Sequence, residues 1–397
     1  MDTFLIMNLP FPIVLDILSR LPIKYLLRCM SVCKLWFSFR HDSEFIKLHF
    51  TKSMIHPPSG LLLHPLRTPN NETSSLLIVT PDVGVWNAKH ISINLDLTQE
   101  KLLIVGSCNG FLCLTTGRAD TIWLCNPITK QSMELPTSQG YNPITKKMME
   151  MKLFTYTTNP SSNDIITSTV GFGFDSLSNE YKVVRLSLNK NRDVTYCEII
   201  TVGAENSSWR FLDFPESLRY LHQTDPVLLD GTLYWLIENS SLRHEYILAF
   251  DIHSEKFWII DQYPLQEYGE RLSLIQIDGS LGLIDCYSEA LVIWLIKGSK
   301  SMGFSFTLLT TYDISGVICL DDHYTFVANF GRDTFLLSVL KGVFAQKIPV
   351  DIESSLVVYS PVVKKQNLSV QVGPWKSKCL QGHWIAPTFK SLPGSGF

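Results

Sequence analysis

Along the first fifty residues, apolar positions recur at helical spacing. Ile13, Val14, Ile17, Leu18 and Leu21 follow Pro10 and Pro12, and Leu21-Pro22 stops that run while Pro22 suits the start of the next. Ile23, Leu26, Leu27 and Met30 form a second stripe. Ser31 can cap a third helix carrying Val32, Leu35, Trp36 and Phe39, and Asp42 or Ser43 can cap a short fourth over residues 44–50. The pattern predicts a small all-α cluster over residues 1–50. A unit of that size buries only about 60% of the surface its unfolded chain exposes, yet these helices are apolar on more than one face. The surplus either meets a partner or packs on the downstream chain.

From about residue 55 the period changes to that of short strands separated by Gly, Asn, Asp, Ser and Pro. NGFLCL from Asn109, DGTLYWL from Asp230 and DGSLGLI from Asp278 each open on a hairpin dipeptide, with apolar residues two and four places after the glycine. Each is followed by a second apolar run, from Thr121, Tyr246 and Leu291. A further element recurs in LCNPITKQSMEL from Leu124, GFDSLSNEYKVV from Gly173, AFDIHSEKFWII from Ala249 and, more loosely, YSPVVKKQNLSV from Tyr359. In it a strand ends in Asn, Asp or Ser, a polar turn follows and a new strand leaves. The spacing from Asn126 to Asp175 is 49 residues. Repeats of about 40–50 residues with four short strands indicate a β-propeller. Residues 55–390 then hold a large all-β domain of about seven blades, with six to eight allowed, and an array of β-sandwiches is the alternative. Alternation is poor over 316–350, and 137–164 is a long irregular insertion.

Composition removes several classes of function. The 397 residues are 45% hydrophobic and 18% charged, with a net charge of −3, which argues against nucleic acid as the main partner. No run of about 18 uncharged apolar residues occurs, since Asp278, Asp285 and Glu289 interrupt the most apolar region, so no membrane span is expected. The start carries no basic segment or small-residue cleavage site, and nine scattered cysteines fit reduced, buried thiols. An intracellular protein of cytoplasm or nucleus is expected.

Residues 9–50, LPFPIVLDILSRLPIKYLLRCMSVCKLWFSFRHDSEFIKLHF, closely resemble an F-box, the module by which a substrate receptor docks on the Skp adaptor of a cullin-based ubiquitin ligase. The matching features are Leu9-Pro10, Ile17-Leu18, Leu21-Pro22, Leu26-Leu27, Val32-Cys33-Lys34 and Trp36. The resemblance implies that these residues bind the adaptor and, through it, cullin. GSCNGFLCL, CNPITKQSMELP, GFGFDSLSNEYKVVRL, DGTLYWL and ILAFDIHSEKF are similar to the F-box-associated, kelch-like domain of large plant F-box families. The family reading implies a non-catalytic receptor that holds a protein substrate. Phe11-Pro12 departs from the acidic or polar pair that usually follows Leu-Pro in the family.

Catalytic patterns are weak by comparison. Gly106-Ser107-Cys108-Asn109-Gly110 fits a nucleophile elbow, but Asn109-Gly110 leads into a strand and not a helix. No cysteine or histidine pair has metal-ligand spacing, Gly171-Phe172-Gly173 lacks the third glycine of a dinucleotide site, and no phosphate loop occurs. No cofactor or metal is expected. Long propeller loops are the expected seat of specificity. The candidates are Tyr141 in the insertion, Arg219, Tyr220 and His222 in 216–224, and Arg243 and His244 in 239–245. The competing reading is a propeller enzyme or sugar-binding propeller with an unrelated helical N-terminus.

Overall fold

The computed structural model describes residues 9–53, 60–65, 75–82, 85–92, 102–116, 121–136, 141–142, 147–148, 167–188, 195–203, 207–215, 226–239, 244–260, 272–287, 290–299, 303–313, 323–329, 335–340, 354–359, 366–367 and 380–385. Four helices come first: α1 (Phe11–Ser19), α2 (Ile23–Met30), α3 (Lys34–Ser38) and α4 (Ser43–Ser53). Pro10 and Pro22 stand at the N-caps of α1 and α2, where a missing N–H costs nothing. Asp42 caps α4, its Oδ1 accepting the N–H groups of Glu44 at 2.9 Å and Phe45 at 3.0 Å.

The third helix departs from the expectation. Cys33 is extended, so α3 starts at Lys34 and passes at Phe39 into a 3-10 turn, while the Ser31 hydroxyl donates to the carbonyl of Arg28. With so short a helix, the expected stripe splits. Val32 and Leu35 lie exposed while Phe39 is buried. The core of the module is Val14, Leu18, Ile23, Leu26, Met30, Phe39 and Phe45. Lys52 ties the end of α4 to α1, donating to the Asp16 carboxylate and, at 2.8 Å, to the Ser19 hydroxyl. His49 Nε2–H donates to the Leu21 carbonyl at 3.0 Å.

The strands form six four-stranded antiparallel sheets among the described residues. The first contains β1 (Gly60–Pro65), β2 (Ser75–Asp82) and β3 (Val85–Ser92). The second is β4 (Leu102–Cys108), β5 (Phe111–Thr116), β6 (Ile122–Asn126) and β7 (Gln131–Glu134). A small ribbon, β8 (Tyr141–Asn142) with β9 (Lys147–Met148), lies in the insertion. The third sheet is β10 (Thr167–Asp175), β11 (Glu180–Leu188), β12 (Thr195–Val202) and β13 (Arg210–Leu212). The fourth is β14 (Val227–Leu229), β15 (Thr232–Asn239), β16 (His244–Asp251) and β17 (Lys256–Ile260). The fifth is β18 (Leu272–Ile277), β19 (Ser280–Tyr287), β20 (Ala290–Ser299) and β21 (Gly303–Asp313). The sixth is β22 (His323–Asn329), β23 (Phe335–Leu340), β24 (Ser354–Tyr359) and β25 (Gln366–Asn367). Finally β26 (Leu380–Ile385) pairs with β1 and completes the first sheet.

The leading strands lie against one another in the order β4, β10, β14, β18, β22, β26 and back to β4. That closes a ring, the arrangement of a β-propeller. Strands from both ends of the propeller region share the first sheet, which ties the ring shut at the seam. From the second sheet to the fifth, each pair of neighbouring sheets encloses a core. Phe111, Cys113 and Leu124 meet Phe172, Tyr181 and Val183, and Val184, Leu186 and Ile199 meet Trp235, Leu248 and Phe250. Gly171 makes room for Trp235, because a Cβ there would stand 2.7 Å from the ring carbon Cζ2.

Two kinds of turn join the strands. Asn109-Gly110, Asp230-Gly231 and Asp278-Gly279 have positive φ at both positions, the two-residue hairpin that the dipeptides predict. The longer turns start at Asn126, Asp175 and Asp251, whose side chains accept backbone N–H groups two or three residues on, and end on a positive φ at Lys130, Asn179 and Glu255. The 49-residue spacing does not join equivalent positions. Asn126 lies between the third and fourth strands of its sheet, whereas Asp175 lies between the first and second. The turns match because both positions end a strand running the same way.

A polar network bridges the third and fourth sheets. Lys182 Nζ donates to Glu255 Oε1 at 2.9 Å, the Ile252 carbonyl at 3.0 Å and Asp175 Oδ2 at 3.4 Å, and His253 Nδ1 lies 3.0 Å from the same Asp175 oxygen. Burial alone would raise the Asp175 carboxyl, but hydrogen bonds from His253, Ser178 and Leu177 outweigh it and hold it well below the usual range. Glu255 is likewise lowered, Arg210 and Lys182 overcoming its desolvation. Carboxyls depressed in the fold stabilise it above their unfolded pKa of about 4, and that contribution is lost as pH falls through the folded values. Lys182→Met should therefore cost about 3 kcal/mol at pH 7 by stranding buried carboxylates. The deficit should shrink as pH approaches 3, because the stranded carboxyls can then protonate. Denaturant melts of both proteins at the two pH values measure this, and equal stability at pH 7 would show the network to be slack.

Candidate functional site

Ten large apolar side chains are exposed on the helical module: Leu9, Phe11, Ile13, Ile17, Tyr25, Leu27, Val32, Leu35, Phe37 and Leu48. Elsewhere, among the residues whose side-chain burial is described, only Leu177, Phe211 and Leu308 are. The cause is local. α1 carries two stripes, Val14 and Leu18 facing the core while Ile13 and Ile17, also four apart, face out. On α2, Ile23, Leu26 and Met30 are buried while Tyr25 and Leu27 face solvent. The Arg40 guanidinium sits 4.1 Å from the centre of the Phe37 ring and the Arg28 guanidinium 5.9 Å from that of Tyr25, so the apolar surface carries a basic trim.

The residues singled out for adaptor docking divide. Leu9, Pro10, Ile17, Pro22, Leu27, Val32 and Lys34 are exposed, and Leu21, Cys33 and Trp36 are half-buried. Leu18 and Leu26 are core, at 3% and 0% exposure, so in the free chain they hold the helices together and offer no contact surface. Phe11, Ile13, Tyr25, Leu35, Phe37 and Leu48 are exposed as well, though the sequence did not single them out for docking. Their signal was the second apolar stripe on each short helix.

Strand alternation sorts the connections of the propeller into two ends. Connections from first to second and from third to fourth strands share one end, and the tight turns at Asn109-Gly110, Asn126, Asp175, Asp230-Gly231, Asp251 and Asp278-Gly279 all lie there. Side chains confirm it: Asn109 Nδ2 donates to the Tyr181 hydroxyl at 3.2 Å, and His253 meets Asp175. The strands flanking 137–166, 216–225 and 240–243 open at the other end. The three candidate loop groups thus leave from a common end. Tyr141 lies in β8 and His244 opens β16, while Arg219, Tyr220, His222 and Arg243 lie outside the described residues.

The helical module belongs to the tight-turn end. Six residues separate its last helix from Gly60, which pairs with Ile385 at the finish of β26. Ile128, in the turn after Asn126, packs against the core of the module.

No nucleophile is activated where the sequence offered one. Cys108 ends β4 and Asn109-Gly110 is a hairpin turn, so Gly106 to Gly110 makes no strand-to-helix elbow. Burial pushes the Cys125 thiol up to about 12 and the Cys197 thiol also upward. Both stay protonated at neutral pH. Among the described residues no group of three His, Cys, Asp or Glu side chains could hold a metal ion, and no helix is long and apolar enough to cross a membrane.

Residues 61–307 match the model of the F-box associated beta propeller domain, and residues 6–44 match that of the F-box domain. The chain belongs to the F-box-associated β-propeller family. Its F-box is the helical module described above. A putative F-box/kelch-repeat protein of Arabidopsis thaliana is 24% identical over 74% of this chain and 69% of its own length. An F-box protein of the same plant is 25% identical over 80% of this chain and 85% of its own length. Among solved structures, the fission yeast SREBP-SCAP binding domains align with a TM-score of 0.38 at 11% identity, covering 77% of this chain and 76% of that one.

The split between core and surface in the F-box is testable by itself. Leu26→Ala should destabilise the module by about 3 kcal/mol, the cost of a cavity at a fully buried leucine. Ile17→Ser, at an exposed site, should change its stability by less than about 0.5 kcal/mol. Hydrogen exchange of the α1 and α2 amides in the full chain reads both, and equal protection loss in the two variants would contradict the assignment.

Proposed function

We propose that this F-box protein is a substrate receptor of a Skp-cullin-F-box ubiquitin ligase. The F-box docks the Skp adaptor through its exposed apolar face, and the loop end of the propeller holds a protein substrate. The observation that carries the reading is the concentration of exposed apolar side chains on one small module of known type. A soluble monomer rarely leaves such a surface uncovered. Leu9, Ile17, Leu27 and Val32 are the proposed anchors, with Pro10, Pro22 and Lys34 at their edges and Leu21, Cys33 and Trp36 contributing through their half-exposed sides. The family role is that of an adaptor for another enzyme's chemistry, so the receptor's contribution is proximity and orientation of the target lysine.

The loop end is the proposed substrate face because the tight-turn end is occupied in part by the F-box. Long connections on a rigid ring are also where recognition groups can vary without disturbing the core. Tyr141, Arg219, Tyr220, His222, Arg243 and His244 remain the proposed contacts, as aromatic and Arg groups anchor interfaces well.

Full-length chain should capture a purified Skp adaptor, and Ile17→Ser/Leu27→Ser should weaken capture by about 100-fold, at roughly tenfold per lost anchor. Equal affinity of the double variant would remove these residues from the interface. For the other end, proximity labelling by the intact chain should recover a set of proteins that is lost when 216–224 is replaced by a short Gly/Ser connection. An unchanged set would make that loop structural.

A further inference from the structure

The three longer turns share one geometry and differ in what covers them. Each begins with an Asn or Asp that accepts N–H groups of its own turn, and each ends on a residue with φ between 55° and 60°. The third residue is therefore presented alike in all three: Ile128, Leu177 and His253. Leu177 is 76% exposed and every residue of its turn from Ser176 to Asn179 faces solvent. His253 is exposed and reaches across to Asp175. Of the three third residues only Ile128 is covered. Pro127 is buried, Ile128 and Thr129 are partly buried, and Ile128 packs against the F-box core.

Six residues, 54–59, join the F-box to the propeller. The chain from Ser53 to Gly60 can span at most roughly 25 Å, and chain length by itself sets no angle. A second, non-covalent point is needed to set the angle. We infer that the β6–β7 turn is the seat that fixes the F-box on the propeller, with Ile128 as its positioning residue. Resting on the receptor reading above, this sets the direction in which the loop end faces when the F-box is held by the adaptor. Transfer of ubiquitin depends on that direction, because the target lysine must meet a charged enzyme mounted elsewhere on the complex.

The test uses the full chain with bio-orthogonal spin labels in place of Glu44 and Leu177, both exposed and both outside the seat. Pulsed dipolar spectroscopy should give one narrow distance for the parent chain and for Ile128→Val. Ile128→Ser should broaden it, the unseated population rising by roughly tenfold. Ile128→Ala, which shortens the side chain without adding polarity, should fall between them. Adaptor capture by Ile128→Ser should equal that of the parent. In the reconstituted ligase, its self-ubiquitylation should shift to a different set of lysines, a change that loss of stability alone would not produce. A distance as narrow in Ile128→Ser as in the parent, or broadening by Ile128→Val of the same size, would overturn the seat. Failure of the parent chain to capture the adaptor would instead overturn the receptor reading and leave the distances standing.

Discussion

A four-stranded sheet with two apolar faces cannot exist alone in water. Every other feature of this chain follows from where each face finds cover. The second, third, fourth and fifth sheets show it in the shared cores between them, where Phe172, Trp235 and Phe250 are all but inaccessible to solvent. Each neighbour is both wall and filling. Closure of the ring by β26 beside β1 lets the first and last sheets obey the same rule, and it makes the two ends of the propeller region depend on one another. Glycine enters where the wall must come close, as Gly171 does beneath Trp235.

Once sheets stack in a ring with their leading strands innermost, antiparallel alternation leaves no choice about the loops. Turns after the first and third strands of a sheet fall at one end and connections after the second and fourth at the other. The tight-turn end is built from backbone geometry and short polar bridges, among them the Lys182 cluster that joins two sheets. It is rigid and offers regular spacing, which suits it to carry a second module. The fold thus has one regular end and one variable end, as the receptor reading proposed above requires.

Much of this was legible in the residues. Asn109-Gly110, Asp230-Gly231 and Asp278-Gly279 specify their turns because few other residue pairs accept positive φ twice in succession. The helices at the N-terminus were also legible, since Pro10, Pro22 and Asp42 mark their starts chemically. Blade phase was harder to read. GFDSLSNEYKVV shares its pattern with LCNPITKQSMEL, but the same Asx turn serves between first and second strands as between third and fourth, so local chemistry cannot tell the two places apart. That ambiguity explains an expected count of about seven against the six sheets among the described residues. The third helix failed for a different reason. Val32, Leu35, Trp36 and Phe39 keep helical spacing, yet the extended Cys33 and the 3-10 turn at Phe39 break the helix that would have aligned them.

The hardest thing to read was which apolar residues are for folding and which are for contact. Spacing gives a face but not its partner. Leu18 and Ile17 are adjacent and equally apolar, and one is core while the other is surface. What separates them is the packing of α4, whose Phe45 and His49 meet the side of the module that Val14 and Leu18 face. The same applies to Ile128 and Leu177, which occupy the same place in matching turns. An apolar side chain at a turn tip is unusual in itself, because such tips are normally solvated and polar. That oddity was present in the sequence twice. Only the position of the F-box, set by the entry of the chain at Gly60, makes one of them a contact and leaves the other bare.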